Sequence, residues 1–161
     1  MQVLYSPDIP ELSPTQCELL EQLAGDITAV HPVVGGQVQL IFTDDAHMRH
    51  LNASFGGVDR TTDVLSFYLG PSACPELPGV DTVAGEIYIS LERARLQASE
   101  QQVSTSQEVA RLFVHGLLHL AGFDHDTPDK LAVMERETDR FLQAADLFAA
   151  SQTMDCPGGQ C

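Results

Sequence analysis

The run Val114-His115-Gly116-Leu117-Leu118-His119-Leu120-Ala121-Gly122-Phe123-Asp124-His125 decides how this chain is read. His115 and His119 stand at i and i+4, so a helix projects both from one face, within reach of a single ion. Gly122 follows, the residue type best able to end that helix and turn the chain back, and His125 lies three residues further on. Three neutral imidazoles leave the fourth position of a tetrahedral ion free for water, which separates a catalytic metal site from a closed structural one. Imidazoles interleaved with Val114, Leu117, Leu118 and Leu120 would cost stability in a buried helix unless paired or metal-bound. The run therefore points to a metal-dependent hydrolase. Zinc is the first expectation, although imidazole also suits iron, nickel and copper.

Thr105-Ser106-Gln107-Glu108 reads as the capping box that opens the histidine helix. Upstream of it, Gly85-Glu86-Ile87-Tyr88-Ile89-Ser90 alternates as a strand, and Ser90 is placed to cap a helix beginning near Leu91. Thr62-Asp63-Val64-Leu65-Ser66-Phe67-Tyr68-Leu69 is rich in β-formers, and the proline-bearing stretch 70–80 reads as a loop. Earlier still, residues 2–5 suggest a strand. Ser13-Pro14-Thr15-Gln16 opens a helix carrying Leu19, Leu20 and Leu23, which Gly25 is expected to end. A strand follows from Val38 to Phe42, then a helix capped by Thr43, carrying Met48, Leu51 and Phe55 and closed by Gly56-Gly57. Downstream, Thr127-Pro128 opens a last helix whose apolar face is Leu131, Met134, Phe141 and Ala145. This order predicts an α+β fold, a small mixed β-sheet packed with helices, with the metal-binding helix across the sheet. Residues 1–150 are expected to form a single metal-dependent hydrolase domain, and 151–161 a flexible C-terminal tail.

The chain has 161 residues, 43% of them hydrophobic, enough to bury a core without staples. No apolar run is long enough to cross a membrane, and the first residues lack the pattern of a signal peptide. A cytoplasmic protein without a membrane partner is the expectation. Cys17, Cys74, Cys156 and Cys161 form no CxxC pair and no disulfide framework. The formal net charge of −15 argues against broad nonspecific binding to nucleic acid, and no DNA partner is expected. Arg49, Arg60, Arg93, Arg95 and Arg111 precede the histidine run, whereas Asp124, Asp126, Asp129, Glu135, Glu137 and Asp139 crowd behind it. Any RNA contact would have to use the first group.

The spacing His-x-x-x-His-x-x-Gly-x-x-His is that of the metzincin proteases. In those enzymes the residue after the first histidine is the glutamate that acts as general base; here it is Gly116. A glycine accepts no proton, so peptide hydrolysis by that route lacks its base. Met134 lies where a methionine turn would be sought, but it also falls on the last helix's apolar stripe, and core packing is the better reading.

The histidine run, together with Leu51-Asn52, Thr62-Asp63-Val64-Leu65-Ser66-Phe67 and Gly85-Glu86-Ile87-Tyr88-Ile89-Ser90, resembles the YbeY family in order and spacing from about residue 38 to residue 142. That family comprises bacterial rRNA maturation factors described as single-strand-specific endoribonucleases. The resemblance implies that His115, His119 and His125 bind one zinc ion and act in catalysis through it. It also implies work on ribosomal RNA in the cytoplasm, notably maturation of the small-subunit RNA 3′ end and ribosome quality control, with the small ribosomal subunit or its proteins as partners. Zinc so held would lower the pKa of water to about 7 and polarise a phosphoryl oxygen. Family members usually carry an arginine after the aromatic residue of the Leu51-Asn52 stretch; here Gly56 follows Phe55. Thr61 and Tyr68 also stand where prolines are usual. Arg60, four residues on, is a candidate to serve RNA in that arginine's place, and equally a solvated loop arginine. Asp124 is a candidate to orient an imidazole or move a proton, and equally a turn residue. Asp63, Glu86 and Ser66 lie on strands near the site, with solvent or structural roles favoured. Two other functions compete: a metal-dependent hydrolase of a small molecule or peptide, and a non-catalytic ribosome-assembly factor.

Overall fold

The computed structural model describes residues 2–5, 12–31, 37–70 and 83–153. The order of elements is β1 (Gln2–Tyr5), α1 (Pro14–Val30), β2 (Gln37–Thr43), α2 (Asp45–Gly56), β3 (Val64–Tyr68), β4 (Val83–Ser90), α3 (Leu91–Gln101), α4 (Thr105–Leu120) and α5 (Pro128–Thr153). Most of the loop expected at 70–80, with Cys74, lies outside the described residues, as do Cys156 and Cys161 and positions 154–161 of the expected tail.

The strands form one mixed sheet in the order β1-β2-β4-β3. β1 and β2 pair in parallel, as do β2 and β4, while β3 runs antiparallel to β4 and closes one edge. Alternation sends Val38, Leu40, Ile87 and Ile89, all fully buried, to one face. There they meet Leu20, Leu23 and Ile27 of α1 and Val109, Leu112, Phe113 and Leu117 of α4 in one core cluster. Tyr88 points the other way, towards α2, where its ring lies 6.4 Å from that of His47. The mixed sheet with the histidine helix packed across it is the architecture that the pattern predicts.

Several boundaries differ from expectation, each for a local reason. α1 does not stop at Gly25 but runs to Val30. Ala24 and Ile27 are completely buried, so the apolar stripe continues through the glycine and outweighs its cost of about 1 kcal/mol in a helix. Asp44, not Thr43, caps α2, its side chain accepting from the His47 amide at 2.8 Å; Thr43 is spent as the last paired residue of β2. The capping box of α4 lies one residue earlier than predicted, between Ser104 and Gln107. Glu108 is thereby freed from the cap, and it is buried to 1% exposure against Arg111. On α5, Met134 is fully buried in the core while Leu131 stands 39% exposed. Phe55, expected on the apolar face of α2, is 72% exposed, its ring edge-on to Phe67 at 5.3 Å.

Candidate metal centre

The position of α4 on the sheet begins with Gly116. A Cβ built there would lie 2.8 Å from Ile87 Cγ2 and 2.9 Å from Ser66 Oγ, so no side chain fits between helix and sheet. Ser66 donates its hydroxyl to the Gly116 carbonyl at 3.1 Å and pins the helix to β3 at the same point. Gly116 therefore faces the sheet, and a residue in its place would point into the core rather than towards the neighbouring imidazoles. The base of a metzincin protease is missing here for a steric reason as well as a chemical one.

One turn of helix then delivers the ligands. His115 and His119 lie on the part-exposed stripe of α4. The helix ends in a Schellman motif: the Phe123 amide donates to the Leu118 carbonyl and the Gly122 amide to the His119 carbonyl, both at 2.9 Å. Gly122 supplies the left-handed residue that this motif requires, with φ of 93°. The reversal carries His125 back, and the ligand atoms of His115, His119 and His125 all lie within 4.8 Å of one another.

His119 has its tautomer set by its surroundings. Its Nδ1 is 3.0 Å from the Phe123 carbonyl, which can only accept, so Nδ1 carries the proton and Nε2 keeps its lone pair. That Nε2 lies 3.2 Å from Nε2 of His115. Two imidazole nitrogens bound to one tetrahedral zinc at 2.0–2.1 Å stand about 3.3 Å apart, so the pair has the spacing of ligands. Burial, with the neighbouring His119 and His125 imidazoles, pushes His115 down to about 4. Burial also lowers His119, against the opposing pull of the Phe123 carbonyl. Both rings are thereby neutral and ready to ligate at neutral pH. The residues fit a transition-metal ion.

A cleft of about 400 Å³ opens against His115, walled by Arg111 one turn earlier and by Glu135, Thr138 and Asp139 of α5. Glu108 holds the Arg111 guanidinium through Nε at 3.0 Å. Asp124 is exposed; its carboxylate accepts from the His125 backbone amide at 2.7 Å, a contact that shapes the turn rather than orienting an imidazole. Asp63 accepts from the Val64 amide and from Gln97 of α3 at 3.0 Å, tying β3 to α3 close to His115. Glu86 accepts from the Tyr88 hydroxyl.

Arg60 is not brought to the histidines. It is exposed in the turn after α2, over a shallow depression lined by Asp45, Ala46, Arg49 and Asp59, and no histidine lines that depression. Asn52 braces the turn by donating to the Arg60 carbonyl at 2.9 Å. The Phe123 carbonyl, Gln97 and the Glu108–Arg111 pair are parts of the site that the sequence reading missed. A glycine inside a strongly apolar helix was the available signal for the close approach at Gly116. Nothing in residue type announces a backbone acceptor such as Phe123.

A mixed sheet crossed by a helix that offers three converging imidazoles defines a class: α+β domains built around a three-histidine transition-metal site. Comparison with known proteins narrows the class. The chain matches the family described as Endoribonuclease YbeY over residues 10–146. It is 44% identical over 108 residues to an endoribonuclease YbeY of Desulforamulus reducens, covering 66% of this chain and 71% of that protein. Against the endoribonuclease YbeY of Geobacillus thermodenitrificans it is 37% identical over 147 residues, covering 88% and 94% respectively. A solution structure of a Thermotoga maritima protein shares the fold at a TM-score of 0.58 and 24% identity, covering 99% of each chain. The chain belongs to the YbeY family of endoribonucleases, hydrolases that cut RNA.

Proposed function

We propose that this chain is a zinc-dependent, single-strand-specific endoribonuclease that matures the 3′ end of small-subunit ribosomal RNA and serves ribosome quality control in the cytoplasm. The observation that carries the reading is the convergence of three imidazoles, two of them neutral and spaced as ligands, beside a cleft of about 400 Å³. Among the described residues no helix is long and apolar enough to cross a membrane.

His115, His119 and His125 hold the ion and act in catalysis through it. Zinc held there would supply Lewis acidity, which lowers the pKa of water and stabilises negative charge on a phosphoryl oxygen. The chain's own residues place it. Phe123 fixes the tautomer of His119, and Asp124 shapes the turn that delivers His125. Gly116 keeps the helix seated against Ile87. Arg60, exposed on the braced turn, contacts RNA phosphate. A net charge of −15 leaves the chain short of positive surface for a polyanion, so small-subunit RNA is presented with the help of the subunit or its proteins.

The test is cleavage of a single-stranded small-subunit rRNA fragment and of its duplex form by zinc-loaded protein, beside a folded His119→Ala variant. The reading expects cleavage of the single strand only, loss on chelation with recovery on adding zinc, and none by His119→Ala. Cleavage surviving in His119→Ala refutes the metal mechanism. Absence of cleavage even with small subunits added refutes the nuclease reading in favour of an assembly role.

A further inference from the structure

Three segments distant in sequence meet behind the Phe123 carbonyl. His31 ends α1, and its ring stands edge-on to the Phe123 ring at 4.9 Å and to Phe141 of α5 at 6.1 Å. Its Nε2 lies 3.0 Å from the Glu137 carboxylate, also on α5. Arg140 reaches the same Glu137 oxygen at 3.3 Å and lies 5.6 Å from the Phe141 ring centre. Glu137 thus fixes the His31 ring, the His31 ring backs the Phe123 ring, and the Phe123 backbone fixes the proton of His119.

We propose that His31 and Glu137 are positioning residues for the metal centre, holding the Phe123 turn so that its carbonyl keeps His119 in the Nδ1–H tautomer with Nε2 aimed at the ion. The inference rests on the three-histidine reading above and adds to it residues that lie more than eighty positions from the nearest ligand, or on the far wall of the turn. A ligand imidazole needs its second nitrogen anchored, because an unanchored ring spends part of its time in the wrong tautomer or rotated away. The anchor here is a backbone carbonyl in a surface turn, and a turn closed by a glycine is only as fixed as the side chain that follows it. Phe123 is that side chain, half-buried and packed against the core. On the outer side its ring meets His31, and the charge-assisted contact to Glu137 stops His31 from turning away. The core thereby sets the aim of a ligand that lies at its rim.

The test has two readouts, neither of them activity. Zinc affinity is measured by competition with a chromophoric chelator, and the His119 tautomer by ¹⁵N NMR of the metal-free protein. Glu137→Ala and His31→Ala are expected to weaken zinc binding about tenfold, the lower end for residues that orient a ligand, and to give mixed His119 tautomers. Glu137→Gln, which still offers His31 an acceptor, is expected to keep both near wild type. Native affinity and a single tautomer in Glu137→Ala, or equal losses in Glu137→Gln and Glu137→Ala, overturn the proposal. Should His31→Ala not fold, the Glu137 pair carries the test alone. If the wild type bound no zinc, the metal reading would fail, while the tautomer of the metal-free protein would still decide this inference.

Discussion

Replacing Gly116 by alanine tests whether helix α4 is seated as tightly as its contacts imply. On an open helix face the change would stabilise the protein by about 0.8–1 kcal/mol, the difference in helix propensity. At Gly116 the new Cβ would fall 2.8 Å from Ile87 Cγ2, 2.9 Å from Ser66 Oγ and 3.2 Å from Ile87 Cδ1. Ile87 Cγ2 hangs directly from the Cβ of a fully buried strand residue, so it moves only if the strand or the helix moves. Overpacking of this kind costs about 1–3 kcal/mol, and contacts on two sides place it in the upper half. The net expectation is a loss of about 1–2 kcal/mol, which lowers the melting temperature by about 2–8 °C in a domain of this size. Urea denaturation and thermal melting of the metal-free protein read it. An alanine variant as stable as the wild type, or more stable, would refute the close seating. Gly116→Glu, the residue of a metzincin protease at this place, would force a carboxylate into the same slot and is expected to prevent folding rather than create a protease.

Three further outcomes follow from the same contacts. Folded His115 is held at about 4 while the unfolded side chain titrates near 6.5, so between those values the unfolded chain binds more protons; the metal-free protein loses about 2–3 kcal/mol as pH falls through this window, and His115→Gln flattens that part of the urea-denaturation profile. Arg111→Ala leaves Glu108 buried at 1% exposure without its partner and costs about 2–3 kcal/mol in chemical denaturation, below the cost for a fully buried pair because the Arg111 side chain is 32% exposed; Glu108→Leu with Arg111→Leu recovers most of it. Gly56→Arg must displace Asn52 Oδ1, which lies 2.6 Å from the new Cβ, and so breaks the bond to the Arg60 carbonyl; stability falls by no more than about 1 kcal/mol, while the KM for single-stranded RNA falls if an arginine there serves phosphate.

The histidine run was legible because its chemistry is local. Helical spacing places His115 beside His119, and Gly122 adopts the left-handed conformation that its position after the helix implies. The strands β3 and β4 and the Ser90 cap were equally legible, since alternation and cap residues act within a few positions. Failures occurred where distant burial overrode local propensity. α1 passes through Gly25 because Ile27 is buried two residues later. Glu108 looked like a capping residue and is instead the buried partner of Arg111. Phe55 belongs to an apolar spacing that the sheet does not cover. The network from Glu137 through His31 to Phe123 joins residues up to 106 positions apart, and no pattern within a helix or strand encodes such a meeting.

The central claim is that His115, His119 and His125 hold one zinc ion together. Metal content and zinc K-edge X-ray absorption of the purified protein test it most directly. The expected result is one ion per chain, bound by three imidazole nitrogens at about 2.0–2.1 Å with a fourth ligand from solvent. Substituting any one of the three by alanine should abolish stoichiometric binding. Full zinc occupancy retained in His119→Ala, or a spectrum showing sulfur ligands, would contradict it.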